Sequence, residues 1–203
     1  MRRSETIAGV RAAPLVAVVI ALAACGGNGG DDASTIPVGK VDPGTYKGEP
    51  FEPALRLTIA EQGWRALFAP EDDELAFEHE DGRFLAFTHA TRVVDPKTGR
   101  DVPAPTDLAE WLRKHPALQP TQAVPISVGD SSGTRIDASP TQSDTDIFWY
   151  PSGAMHTVPQ VRWRVFVVDA HGTPLTIVYA APIASFDRAL TQLEPLLQSV
   201  EFH

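Results

Sequence analysis

The residues able to do chemistry are few, and their spacing is mostly that of structure. The 203-residue chain has one cysteine, Cys25, and six histidines. Gly129-Asp130-Ser131-Ser132-Gly133 sets two hydroxyls beside a carboxylate in a glycine-bounded loop. A nucleophilic serine needs a histidine base that is itself oriented by a buried aspartate. No matching histidine motif stands upstream, and small polar residues between two strands are what a turn requires. No Gly-x-Ser-x-Gly elbow occurs elsewhere in the chain. Glu71-Asp72-Asp73-Glu74 and Glu78-His79-Glu80 could offer oxygens to a hard cation, but neither has the glycine-punctuated spacing of a calcium loop. The histidines lack His-x-x-x-His spacing, so no zinc site is expected. His115 falls at a helix end and His171 in a turn, while His79, His89 and His156 have no identifiable partner. No catalytic residue, metal or cofactor is therefore expected.

Cys25 is different, because of what precedes it. Arg2, Arg3 and Arg11 lead into the apolar run Leu15–Ala24, which closes on small residues directly before the cysteine. A basic start, a short apolar core and a small-residue cleavage point make an export signal. The run is too short to cross a bilayer, which takes about twenty apolar residues. Leu22-Ala23-Ala24-Cys25 resembles the lipobox of bacterial lipoproteins. That resemblance implies that the Cys25 thiol accepts a diacylglyceryl group and that cleavage before it makes it the N-terminus. Residues 1–24 are thus expected to be a signal peptide. Arg2-Arg3 is followed by the polar Ser4-Glu5-Thr6, which favours the general secretory route over the twin-arginine one. Two or three acyl chains anchor firmly, since each buried CH₂ contributes about 0.8 kcal/mol.

The charge supports an anchor of this kind. Arg2, Arg3, Arg11 and Glu5 fall in the first 24 residues, so of 17 basic and 26 acidic residues 14 and 25 remain, a net of −11. An acidic domain does not draw nucleic acid or anionic headgroups through its overall field. The expected membrane partner is reached through the lipidated N-terminus, and no nucleic acid partner is expected. With its one cysteine already committed, the chain has no internal disulfide and no thiolate metal site.

The elements that must position any site follow in order. Residues 25–44, rich in Gly, Asp and Ser, are expected to be a flexible tether of about 25 Å r.m.s. span. A single globular domain is expected over residues 45–203. Leu55-Arg56-Leu57-Thr58-Ile59 alternates as a half-buried strand. Residues 74–78 and 84–88 read as a hairpin across Asp81-Gly82, and residues 95–105 as a loop. Asp107 with Glu110 resembles a capping box for a helix carrying Leu108, Trp111, Leu112 and His115 on one face, stopped by Pro116. Residues 124–128 and 134–138 pair around Gly129–Gly133, and residues 139–146 read as a loop. Val161–Asp169 and Leu175–Ala180 form a hairpin whose Val165-Phe166-Val167-Val168 must be covered on both faces. A helix over residues 186–197 puts Leu190, Leu193 and Leu197 on one face, with Pro195 kinking it or starting a second piece. Val200-Glu201-Phe202 is a last short strand. The order predicts an α+β fold, a largely antiparallel sheet with helices on its faces.

Ile147-Phe148-Trp149-Tyr150-Pro151 is the one stretch of the domain that suggests recognition. In a strand, Trp149 lies opposite to Phe148 and Tyr150, so one side can line a groove while the other fills the core.

Gly63-Trp64 after the first strand, Leu108 through Trp111-Leu112 to His115-Pro116, Val128-Gly129 through Gly133 to Ile136-Asp137, and Phe186-Asp187 with Leu197–Phe202 carry a resemblance. They look like a family of actinobacterial lipoproteins of uncertain function, similar to LpqN-type lipoproteins and to the PsbP-like α/β/α sandwich. The resemblance implies a sandwich fold and a non-enzymatic binding or accessory role. The expectation is an exported domain, lipid-anchored on the outer face of the cell membrane, recognising an envelope protein or an apolar ligand through Phe148, Trp149 and Tyr150. An envelope hydrolase assembled from distant residues and a structural spacer are the alternatives.

Overall fold

The computed structural model describes residues 33–69, 71 and 73–203. The expected signal peptide, Cys25 and the tether up to residue 32 lie outside the described residues. In chain order the first strands are β1 (Ser34–Thr35), β2 (Gly39–Val41), β3 (Gly44–Lys47), β4 (Leu55–Ile59), β5 (Trp64–Ala66), β6 (Glu74–His79), β7 (Phe84–Thr88), β8 (Arg92–Val94) and β9 (Asp101–Pro103). After helix α1 (Leu108–Lys114) come β10 (Leu118–Pro120), β11 (Val124–Val128), β12 (Ser131–Pro140), β13 (Asp146–Tyr150), β14 (Gly153–His156), β15 (Val161–Ala170) and β16 (Thr173–Pro182). Helix α2 (Phe186–Gln198) and β17 (Glu201–Phe202) complete the fold.

A nine-stranded central sheet has the order β10-β12-β15-β16-β7-β6-β5-β2, with β11 also paired to β12. Two four-stranded sheets, β1-β3-β4-β17 and β14-β13-β8-β9, accompany it. Every strand pairing is antiparallel except β1 with β3. The expected mostly antiparallel sheet with two short helices is what the chain forms.

Side-chain alternation explains the layering. Along β15, Trp163 and Val165 enter one apolar cluster, while Phe166, Val168 and Ala170 enter another. Along β16, Val178 and Ala180 join the first, and Leu175, Ile177, Tyr179 and Ala181 the second. The hairpin is therefore buried on both faces, as its unbroken apolar run requires. One face is covered by β3, β4, β17 and α2, whose Phe186, Ala189, Leu193 and Leu196 are buried. The other is covered by Leu108, Ala109 and Leu112 of α1, together with β8, β13 and β14.

Local chemistry sets the ends of these elements. The Asp107 side chain accepts the Glu110 backbone N–H at 2.8 Å and caps α1. The β15–β16 loop is the pair His171 (φ +55°) and Gly172 (φ +89°), the two left-handed residues of a primed hairpin turn.

Three expectations are corrected. The tether was placed over residues 25–44, but its last part belongs to the domain. Ile36 and Val41 are buried in the core, β1 adds to β3, and β2 forms one edge of the central sheet. Two apolar side chains within a polar stretch suffice, because the core beside the small sheet receives both. The loop over residues 95–105 holds β9, paired back to β8 across a turn in which the Asp95 carboxylate accepts the Lys97 and Thr98 N–H groups. Helix α2 continues through Pro195, so no second helical piece starts there. The ring removes the donor to the carbonyl of Thr191, a residue exposed to water that can replace it.

Gly129, in the β11–β12 turn, has φ +58°, and a Cβ there would meet the Val200 carbonyl oxygen at 2.3 Å. That close approach seats the turn on the strand entering β17. Gly99 has a similar φ of +67° with open space around it. Gly129→Ala is expected to lose about 1–3 kcal/mol more stability than Gly99→Ala, through forced overpacking. Equal losses for the two variants in thermal unfolding would contradict this account.

Candidate functional site

Strand β13 carries the aromatic stretch. It pairs with β14 on one side and β8 on the other, with a bulge between Asp146 and Phe148. The bulge lets neighbouring Ile147 and Phe148 both turn inward, and both are fully buried. Trp149 points away, and its Nε1 donates to Asp101 Oδ1 at 2.8 Å, tying β13 to β9. Tyr150 is half-buried and packs edge-on against Phe148, with ring centroids 6.4 Å apart. Burial pushes its phenol up from the ordinary value, and the Glu74 charge adds to that. The expected trio is thus divided: Phe148 fills the core, Trp149 braces a neighbouring strand, and Tyr150 alone lines a cavity.

Glu74 holds the turn next to Tyr150 in place. Its two carboxylate oxygens accept the Ser152 hydroxyl and the Ser152 backbone N–H, each at 2.7 Å. Burial raises its pKa against the opposing pull of those two hydrogen bonds. The β13–β14 turn is thereby fixed to the central sheet.

The cavity has a volume of about 250 Å³. Phe84, Val161, Trp163 and Ala180 of the central sheet form its floor, and Tyr150, Ala154 and Met155 of the β13–β14 hairpin form a wall. Val158 closes one side, and His156 is the other polar-tipped side chain besides Tyr150. The Tyr150 hydroxyl donates to the Ala154 carbonyl at 3.4 Å, a long bond within the hairpin. The site is an apolar cleft with a phenol and an imidazole on it, chemistry suited to receiving an apolar group.

The other candidates do not assemble a reaction centre. His171 Nε2 lies 3.0 Å from Asp130 Oδ2, and this contact holds the exposed Asp130 carboxyl below its usual range. The neighbouring Ser131 Oγ is buried without a hydrogen-bond partner, and Ser132 is exposed. Ser131 lies near enough to the Asp130 carboxylate to help hold it down, but its Oγ makes no hydrogen bond to the His171 base. Among the described residues no group of three His, Cys, Asp or Glu side chains could hold a metal ion.

Sequence reasoning missed a polar cluster beneath Trp64. Arg83 is only 2% exposed. Its Nη1 donates to Glu61 Oε1 at 2.6 Å, and its Nε donates to the two Asp81 carboxylate oxygens at 2.9 and 3.0 Å. The guanidinium lies 5.2 Å from the centroid of the Trp64 ring. Burial opposes its charge, and the hydrogen bonds with Glu61 and Asp81 outweigh burial, so its pKa is raised. His79 Nδ1 is 2.7 Å from Asp81 Oδ1 and its Nε2 is 2.8 Å from Arg83 Nη2. Nδ1 also receives the Asp81 backbone N–H at 3.2 Å, and Nε2 also lies 2.9 Å from the Gln62 carbonyl oxygen. The cluster joins two turns, which makes it a brace. The only trace in the sequence is an arginine directly after the Asp81-Gly82 turn.

His115 is the C-cap of α1, at the helix end as expected. The helix dipole favours a cation there, but the ring is buried, and burial lowers its pKa from 6.5. Its Nδ1 accepts the Ala117 N–H at 3.2 Å, and Nε2 has no hydrogen-bond partner. The folded chain thus resists a proton that the unfolded chain accepts below pH 6.5, so His115 draws stability down as pH falls through that value. His115→Asn, which keeps an acceptor near Nδ1 and does not titrate, should show a smaller loss of unfolding free energy between pH 7 and pH 5.5. An unchanged pH dependence in denaturant titrations would reject this role.

No protein-family model and no curated protein matches the chain. Solved structures do. PsbP (CyanoP) of Synechocystis sp. PCC 6803 is similar at 12% identity and a TM-score of 0.47, over 86% of this chain and 100% of that one. LpqN of Mycobacterium tuberculosis, described as involved in cell envelope biogenesis, is similar at 12% identity and a TM-score of 0.36, over 79% of this chain and 91% of that one. A protein of Bacteroides thetaiotaomicron VPI-5482 is similar at 10% identity and a TM-score of 0.38 over 73% of this chain, which spans 45% of the other's length. LpqN and PsbP, both named in the sequence resemblance, recur among these structures, and no residue role is carried over from them.

Proposed function

We propose that this chain is a lipid-anchored accessory domain of the bacterial cell envelope, and that it binds an apolar side chain of a partner protein in the cleft beside Tyr150. The carrying observation is the cleft itself. At about 250 Å³ it is smaller than the roughly 300–1,000 Å³ of most small-molecule pockets. It has the size of a socket for one anchor residue, the kind of contact that dominates many protein interfaces. Val158 is 40% exposed at its side. Ile183 is 51% exposed, and its N–H donates to the Gln160 carbonyl, two residues on from Val158. These two side chains extend the apolar surface beyond the cleft. Binding is favoured over hydrolysis because the buried Ser131 Oγ makes no hydrogen bond to His171, the only base of the His171–Asp130 pair. The open cleft favours recognition over a spacer role, for which a filled core would be enough.

The anchor half of the proposal rests on Leu22-Ala23-Ala24-Cys25 and on the acidic charge, which leaves acyl chains as the means of membrane attachment. Metabolic labelling with an alkyne palmitate should mark the wild-type chain and leave Cys25→Ser unlabelled. Labelling of Cys25→Ser would remove the anchor.

The cleft is tested separately. A photo-crosslinking residue at Val158, irradiated in native membranes, should give one recurrent protein adduct. Ala154→Phe, which fills the cleft, should abolish that adduct while the thermal midpoint holds. An adduct that survives Ala154→Phe would overturn the assignment. Saturable binding of 1-N-phenylnaphthylamine that Ala154→Phe abolishes, with no adduct in the parent protein, would overturn the protein partner in favour of a free apolar ligand.

A further inference from the structure

We propose a second site, in the crevice between α2 and the β11–β12 edge of the central sheet, which binds a single-chain amphiphilic carboxylate with its head on Arg135. The crevice has a volume of about 290 Å³. Its apolar walls are Leu190 and Leu197 of α2 on one side, with Ile126 and Phe166 of the sheet on the other.

The register of β12 against β15 places its cations. Arg135 pairs with Phe166 and Asp137 pairs with Arg164, so all four side chains share the sheet face turned toward α2. Arg164 is already committed, with Nε to Asp137 Oδ1 at 2.6 Å and Nη2 to Oδ2 at 2.8 Å. Arg162 lies 3.5 Å from the same carboxylate and 4.7 Å over the Phe186 ring. Arg135 is half-buried at the crevice, and no carboxylate among the described residues lies within ion-pair distance of it. A half-buried guanidinium without a counter-ion is free to make charge-assisted hydrogen bonds to a bound anion.

Helix α2 points the same way. Its packing into the core is done by Phe186, Ala189, Leu193 and Leu196, yet Leu190 and Leu197 flank that stripe only partly buried. The apolar flank is wider than the core contact needs, and the excess faces the crevice. Glu194 lines the crevice from α2 and forms no ion pair with either arginine. With Asp137 also close by, its charge favours a monoanion over a dianion. Apolar walls, one uncommitted guanidinium and a nearby carboxylate together specify an alkyl chain ending in a carboxylate.

The test uses the full chain carrying Cys25→Ser, so that no covalent acyl chain competes. Decanoate, kept below its micelle concentration, should bind saturably in calorimetric titration. Arg135→Gln should weaken decanoate at least tenfold, while binding of decanol, which has no charge, changes less than twofold and the thermal midpoint holds. Ala154→Phe, in the other cleft, should leave decanoate affinity as it was. Decyl phosphate should bind more weakly than decanoate. The proposal is overturned by absence of saturable decanoate binding, by equal affinity in Arg135→Gln, or by loss of binding in Ala154→Phe. Tighter binding of decyl phosphate would overturn the carboxylate assignment.

Discussion

The fold depends on a constraint in one hairpin. Val165 and Phe166 are neighbours in the chain, point to opposite faces of the sheet, and are both buried. A sheet with this sequence cannot leave either face in water, since burying a Val or Phe side chain is worth about 1.5–3 kcal/mol. Two covers are therefore required. One is made by the small sheet of β3, β4 and β17 together with α2. The other is made by α1 and the β8–β9 and β13–β14 hairpins. Both candidate sites occur where a cover ends. The Tyr150 cleft opens at the end of the β13–β14 hairpin, and the Arg135 crevice opens along the flank of α2.

The interior also holds charge, and the cost is contained by enclosure. Arg83 is nearly inaccessible but is met by Glu61, Asp81 and His79 and lies against Trp64. A buried ion cluster of this kind is weak support for stability and better suited to specifying geometry. Here it fixes the β6–β7 turn against the segment leading into β5. Glu74 does similar work for the β13–β14 turn through Ser152. Turns that would otherwise be free are set by carboxylates, Glu61 for the β6–β7 turn and Glu74 for the β13–β14 turn.

Much of this was legible in the sequence where the signal is local. The Asp107 cap, the β15–β16 hairpin with its apolar run, a β11–β12 hairpin turning at Gly129 and the closing strand at Glu201–Phe202 all follow from adjacent residues, although Ser131–Gly133, expected in the turn, belong to β12. What failed was non-local. Ile36 and Val41 looked like isolated apolar residues in a tether, because the core that receives them comes from strands much later in the chain. Residues 101–103 looked like loop, because proline and charge conceal a short strand that Trp149 steadies from β13. Periodicity grouped Leu190, Leu193 and Leu197, while the sheet receives Leu193 and Leu196. Of the aromatic triplet, alternation separated Trp149 from its neighbours correctly, but only the bulge decides that Phe148 is sealed and Tyr150 is not. Arg83 left only its place after the Asp81-Gly82 turn and Arg135 no signal, since the meaning of each depends on which carboxylates surround it.

The pairing of β17 with β4 joins Phe202 to Leu55 and Glu201 to Arg56. The first of the two cores is thus closed by a strand that emerges long after the strands it seals. Contacts of such wide sequence separation slow folding, because the loop must be ordered before the contact rewards it. A chain still being made can form the β15–β16 hairpin but cannot complete that cover. That core can set only once β17 is in place.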